Sequence, residues 1–317
     1  MQSALPDPSA KPPASWAIVL AFALVYVSWG TTYLAIQKGV RDEHLPPALF
    51  GGSRVCLAGL LLLGFLAFRR QPWRLAPGDL RGVTLSAFFL FVGGNGLINF
   101  AERTVNSGMA AVIAASTPLW VGVIEMISSD GEKLNGRGWL GLIAGLGGVV
   151  LLLAHKIQQT SLLEQDVGLL LVLGSAWCWA TGSIVLRRQR LESSRLASAA
   201  WQMVIGGGIL TVLGVITGEV AQLPAQWTAG AAAAFFYLLI VGSLIGFVSF
   251  NWLLAHVPTS RVSTYAYVNP VIAVLVGWLA GEETNAYLGA GILIILTGVA
   301  LIRSGASSRR VEHGDKA

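Results

Sequence analysis

Arg54 and Glu102 stand in stretches of chain otherwise built from apolar residues, where an ionised side chain needs a partner or water. Arg54 lies about 10 Å into its run at roughly 1.5 Å of rise per residue. Glu102, near the end of the next run, is the natural candidate to complete a buried charge pair. Two roles are open to the arginine: a structural ion pair, or contact with a carboxylate on a bound solute. Asn95, Asn99 and Glu102 recur at i, i+4 and i+7, which puts them on one helical stripe. Trp29, Thr32 and Tyr33 share a helical face, and an offset of 150 residues carries that face onto Trp179, Gly182 and Ser183. Tyr265 and Asn269 lie four apart, with Tyr267 between them on another face, and Asn251 lies late in the preceding run. Any one of these could be interhelical glue. A shared cavity explains the set.

The chemistry such a set offers is binding. No Ser/His, metal-ligand or paired-carboxylate cluster falls within an apolar run, and no phosphate-cradling loop followed by Lys-Ser or Lys-Thr is present. His44, His155, His256 and His313 fall in loops or the tail, and Cys56 and Cys178 read as two thiols buried in spans. No metal or other cofactor is therefore expected.

The elements that must position these residues follow from composition. With 54% hydrophobic and only 12% charged residues, and a mean hydropathy of +0.67, the chain is a polytopic membrane protein. Runs long enough to cross a bilayer read as ten helices: Trp16 to Lys38, Pro47 to Phe68, Arg81 to Glu102, Val105 to Ile127, Gly136 to Ala154, Val167 to Leu186, Leu196 to Thr217, Thr228 to Leu254, Ser260 to Ala280 and Ala286 to Ile302. An N-terminus placed inside puts sixteen of the 21 Lys and Arg residues on the cytoplasmic side and four outside, with Arg54 inside a span. That bias predicts that both termini are cytoplasmic. The net charge of +5 is then a topology signal, and no basic soluble face offers itself to nucleic acid.

The pattern is stated twice. At an offset of 152, Gly94 meets Gly246, Asn99 meets Asn251, Val105 meets Val257 and Pro118 meets Pro270. Five spans per copy force the second copy to enter from the opposite side, which gives an inverted repeat. The expected organisation is a disordered cytoplasmic tail over 1–15, a first five-helix repeat over 16–154, a polar periplasmic linker over 155–166, a second repeat over 167–303 and a cytoplasmic tail over 304–317. Pro118 and Pro270 are each expected near mid-span, where the ring frees the carbonyls of Ala114 and Ala266. Each alone is a structural kink; as a matched pair they point to a central cavity. Gly141 with Gly145, and Gly214 with Gly218, have the spacing for close helix packing. A homodimer and a monomer both remain open.

Three runs carry a family resemblance: VSWGTTYLAIQKG (27–39), VGGNGLINFAERTVNSGMAAVIAASTPLW (92–120) and STYAYVNPVIAVLVGWLAGEE (263–283). They resemble the EamA-type branch of the drug/metabolite transporter superfamily, and within it the YedA-like inner-membrane exporters. The resemblance covers the chain from Trp16 to about Arg303. It implies an all-α fold of ten helices in two inverted bundles around a central cavity, alternating access, and export of amino acids or other small metabolites across a bacterial inner membrane. One departure is that the first copy has two more residues between Pro118 and Glu132 than the second has between Pro270 and Glu282.

The cavity is expected to be lined by Trp29, Tyr33, Asn95, Asn99, Pro118, Trp179, Ser183, Asn251, Tyr265, Asn269 and Pro270. Aromatic rings, amides and one arginine suit neutral or zwitterionic solutes. The first span lacks the deep carboxylate that a cationic-drug exporter needs. Proton coupling would run through Glu102 or Glu125, or be absent. A secondary exporter is the leading reading; a channel-like facilitator shares the fold, and a membrane-embedded enzyme is the remaining alternative.

Overall fold

In the computed structural model, residues 14–127, 135–159, 164–189, 191–257, 262, 265–283 and 286–305 are described. Most of both tails, part of the linker (160–163) and Glu132 lie outside these residues, as do the side chains of Glu125 and Tyr267. Among the described residues the chain is helical, without strands. The helices are α1 (Ser15–Asp42), α2 (Pro47–Phe68), α3 (Pro77–Ala101), α4 (Ser107–Ala114 and Thr117–Ile127), α5 (Gly136–Gln159), α6 (Glu164–Arg188), α7 (Arg195–Ile216), α8 (Ala229–Leu253), α9 (Tyr265–Leu279) and α10 (Ala286–Gly305). Seven of them, α1 to α4 and α6 to α8, are long and apolar enough to cross a membrane. In α9 and α10 the apolar stretches are shorter, Val268–Leu279 and Ala286–Leu301.

Packing relates the two halves by exchange. α2 packs most extensively on α7, and α5 on α10, each helix against its own counterpart. α1 packs on α8 and α9 of the second half, while α6 packs on α3 and α4 of the first. In bilayer-like surroundings helices gain little from simple apolar burial and need close backbone approach, which glycine permits. At the α2–α7 crossing a Cβ added at Gly52 would come 2.5 Å from the Thr211 nitrogen, and one at Gly59 2.7 Å from the Ala200 carbonyl oxygen. Gly214 joins this seam against Leu49, but Gly218 does not. Its φ of +82° ends α7 in a left-handed turn, a conformation costly for any residue with a side chain.

The two halves also cap each other. At one end of the bundle, hereafter the Gln37 end, Glu219 accepts from the amides of Ala48 and Leu49 at 3.2 and 2.8 Å, satisfying donors at the start of α2. Glu43 accepts from the Thr228 hydroxyl at the start of α8. At the opposite end Asp79 accepts from the amides of Glu192 and Ser193 at 3.1 and 2.8 Å, just before α7. Glu43 and Glu192 are 149 residues apart, as are Asp79 and Thr228, so the same cross-half clasp is made once at each end.

Neither half of the sequence announces its π-helices. Phe88–Gly96 within α3 and Leu238–Phe247 within α8 are wound as π-helix, and their starts are 150 residues apart. Such winding is rare and concentrates at functional sites. Both segments face the junction between the halves.

Candidate functional site

Trp29 of α1 and Trp179 of α6 meet edge-to-face at that junction, ring centroids 5.9 Å apart. Each stands on a glycine of the other half. A Cβ at Gly94 would lie 2.9 Å from Cε3 of Trp179, and one at Gly246 would lie 2.7 Å from Nε1 of Trp29. Carbonyls within the π-wound segments are met in the same crossed fashion. The Trp29 indole donates to the Gly242 carbonyl at 3.2 Å, and the Ser175 hydroxyl of α6 donates to the Gly94 carbonyl at 2.7 Å. Buried backbone acceptors need such donors.

A cavity of about 140 Å³ extends from this tryptophan layer towards the Gln37 end. Its walls include Trp29, Thr32 and Tyr33 from α1, Arg54 from α2, Gly94 and Asn95 from α3, Thr117 from α4, Ser175 and Trp179 from α6, Ser243 from α8, and Tyr265, Asn269 and Pro270 from α9. Tyr265 packs on Trp29 at 5.1 Å between centroids, and Phe250, which does not line the cavity, packs on it at 4.9 Å. Beyond them Ala21, Val25, Leu253, Val257 and Val262 form a buried apolar cluster. The cavity is therefore blocked in that direction.

Arg54 is the one cationic wall residue among those described, and it is 3% exposed. Its Nη2 donates to Asn95 Oδ1 at 2.7 Å, its guanidinium lies 5.8 Å from the centre of the Phe50 ring, and its Nε has no hydrogen-bond partner among the described residues. The expected ion pair with Glu102 is not formed. Glu102 is fully buried at the end of α3, and neither carboxylate oxygen has a hydrogen-bond partner there. Asn95, earlier on α3, holds the guanidinium instead.

The remaining expectations divide. Trp29, Tyr33, Asn95, Trp179, Tyr265, Asn269 and Pro270 share the cavity wall, whereas Asn99, Pro118, Ser183 and Asn251 do not. Asn99 is fully buried against the backbone of α2 at Gly51, with both amide atoms unpartnered among the described residues. Ser183 Oγ and Asn251 Nδ2 turn back onto their own helices, to the carbonyls of Trp179 and Phe247 at 2.7 and 2.9 Å. Short polar side chains in apolar surroundings do this when no external partner is near.

Pro118 departs from its expected mid-helix position. α4 stops at Ala114, turns through Ala115 and Ser116 and restarts at Thr117, so Pro118 opens a new segment where its missing N–H is harmless. Pro270 lies inside a continuous α9. The Ala114 carbonyl is met by the Thr117 hydroxyl at 2.7 Å. Thr117, Ser175 and Ser243 are wall residues that reading by periodicity missed. A hydroxyl directly before a proline in an apolar run, and a serine one turn before a matched tryptophan, were the signals available.

The description of the EamA-like transporter family matches the chain twice, over residues 15–154 and 166–304. The chain belongs to that family. A relative 34% identical over 278 residues, covering 86% of each chain, is the uncharacterized inner membrane transporter YedA of Escherichia coli strain K12. The uncharacterized transporter YoaV of Bacillus subtilis is 27% identical over 93% of this chain and 99% of its own. A probable amino-acid metabolite efflux pump of E. coli K12 is 24% identical over 87% of this chain and 91% of its own. A solved crystal structure, 21% identical, matches over 94% of this chain and all of its own with a TM-score of 0.62, a likeness of fold. This EamA-like protein is thus a multi-pass transporter of the bacterial inner membrane, and the family indicates a transporter in place of an enzyme.

Proposed function

We propose that this EamA-like protein is a secondary carrier that exports small neutral or zwitterionic metabolites, amino acids among them, by alternating access. In this reading all ten helices cross the membrane as two inverted five-helix bundles, both termini are cytoplasmic, and the Gln37 end faces the periplasm. The carrying observation is the cavity at the junction of the halves: among the described residues, aromatic rings and hydroxyls surround a single buried cation, Arg54, whose Nε has no partner. A guanidinium in such a site suits a carboxylate, and the rings suit an apolar body. The relative described as a probable amino-acid metabolite efflux pump supports the same solute class. The aromatic block on one side and the cavity on the other are what a carrier closed towards the cytoplasm requires.

Reconstituted vesicles screened with amino acids and small metabolites, with and without a pH gradient, test the function. Saturable counterflow is expected; flux without saturation or counterflow would make the protein a facilitator. Reporters after Ala317 and near Pro72 should read cytoplasmic and one near Gln159 periplasmic. A cytoplasmic reading at Gln159 would overturn the inverted arrangement.

A further inference from the structure

Glu102 is the buried group that the cavity does not use. It terminates α3, at the negative end of the helix dipole, with zero exposure and no hydrogen-bond partner among the described residues. An ionised carboxylate in that position has only the Gln37 backbone and the Arg54 charge in its favour, against full burial and the neighbouring Glu282, whereas the neutral acid is tolerated. The charged and titratable groups around it come from three other elements: Arg54 of α2, Tyr33 of α1 and Glu282 from the loop after α9. Arg54 already donates to Asn95. Glu282 is engaged by other donors, accepting from the Ser107 amide and hydroxyl at 3.2 and 2.6 Å and from the Gly108 amide at 3.2 Å. Gln37 of α1 completes this clasp by accepting from the same Ser107 amide at 2.6 Å.

The position of the clasp matters. On its surface side Gln37, Arg41, Asn106 and Glu282 line a water-accessible recess of about 370 Å³. On its inner side Tyr33 and Arg54 line the cavity. Glu102 sits between the two, under a clasp whose pieces come from both halves of the molecule: Gln37 and Ser107 from the first, Glu282 from the second. Rearrangement of the halves must part those pieces, and parting them connects Glu102 with the recess.

We propose that Glu102 is the proton-binding site of this carrier, protonated beneath the closed clasp and exchanging its proton with water of the recess when the clasp opens. On release the carboxyl O–H bond breaks, the proton passes to a water molecule, and the carboxylate is left hydrated and within the field of Arg54. The ligand is a proton, and the site needs no metal. The inference rests on the carrier reading above, from which it takes the movement of the halves.

Infrared spectroscopy of the full-length protein in vesicles, stepped in pH, tests the site without a transported solute. The wild type should show a protonated-carboxyl C=O band that persists above the ~4 typical of exposed carboxyl groups and is lost at higher pH. Glu102→Gln should abolish the band and Glu282→Gln should keep it. Glu102→Asp, which retains an acid, should shift the band, and this variant serves if the glutamine variant fails to fold. Arg54→Gln should move loss of the band to higher pH, since it removes the cation that favours the carboxylate. A band unchanged in both Glu102 variants, or no titrating band in the wild type, overturns the proposal. A second arm uses vesicles loaded with a mixture of the protein amino acids and a trapped pH dye. Proton movement should vanish in Glu102→Gln while exchange of labelled phenylalanine persists; movement unchanged in that variant also overturns the proposal. Absence of exchange in the wild type would instead count against the carrier reading and leave the infrared result to decide the site.

Discussion

Trp29 and Trp179 hold the same station in the two halves, each on the other half's glycine, yet the space around them is unequal. Beside Trp29, Thr32 and Tyr33 line the cavity; beside Trp179, their counterparts Gly182 and Ser183 are closed off, the glycine against Leu90 and the serine hydroxyl on its own helix. Arg54 of α2 faces the cavity, whereas Gln202, in the same place on α7, is 1% exposed and donates to Ser86 at 2.9 Å. Thr117 before the first proline serves a broken helix; Asn269 before the second sits on a continuous one, its Oδ1 unpartnered among the described residues. Duplication thus supplies a symmetric frame, and a few substitutions make one side of it polar. On the carrier reading proposed above, the frame carries stability and the substituted positions carry solute chemistry.

The sharpest way to break that division is to treat the matched pair Arg54 and Gln202 alike. Arg54→Ala should lower counterflow of carboxylate-bearing solutes by roughly 30-fold or more, the scale on which a buried charge partner is lost. Gln202→Ala should leave counterflow within about twofold while costing about 1 kcal/mol in stability through the Ser86 hydrogen bond. Equal transport losses would show that both positions belong to the frame. If Arg54→Ala fails to fold at all, the arginine is structural.

The glycine seats should respond symmetrically. Gly94→Ala and Gly246→Ala each push a methyl group into an indole and should each cost about 1–3 kcal/mol, read as matched losses of thermal stability in detergent. A variant that tolerates one change and not the other would show that the halves do not exchange tryptophan seats equivalently.

Much of this frame was legible and much of the site was not. Hydrophobic run length places α1 to α4 and α6 to α8, and an offset of 150 finds the tryptophan pair, because the first signal lies within each run and the second is repeated along the chain. The π-helices are not legible that way. FFLFVGGNG and LLIVGSLIGF are apolar but for Asn95 and Ser243, so nothing in their periodicity reports a change of winding. Partner choice also escaped. Arg54 to Glu102 was the natural pairing by charge, but Asn95 is nearer in space, and the bond from Ser107 to Glu282 spans 175 positions of chain. The stripe at 95, 99 and 102 has the helical period, yet Asn95 reaches Arg54 and the cavity while Asn99 is sealed against Gly51 and Glu102 is buried at the helix end, a division that periodicity alone does not report.

Two smaller perturbations sharpen the comparison. Thr117→Val removes the donor to the Ala114 carbonyl and should cost about 1 kcal/mol, measured as a shift in thermal stability, with solute preference retained. Asn269→Cys, on the cavity wall, should react with a water-soluble thiol reagent in a cysteine-free background and be protected by solute, whereas Asn99→Cys should stay inert. Reaction at 99 with none at 269 would reverse the assignment of the inward face.

The crossed seating of the tryptophans has a consequence for how the molecule is assembled. A first half made alone would hold Trp29 with no glycine floor beneath it and Gly94 with an empty place above, and the second half would be left with the complementary deficits. Each half is in this sense a subunit lacking its mate, and the covalent link between them guarantees a one-to-one supply in the right order of synthesis. Two separately encoded fragments, cut within the linker and produced together, have the surfaces needed to find each other. Two copies of the first fragment, facing in opposite directions, would offer each other the same floor and the same indole.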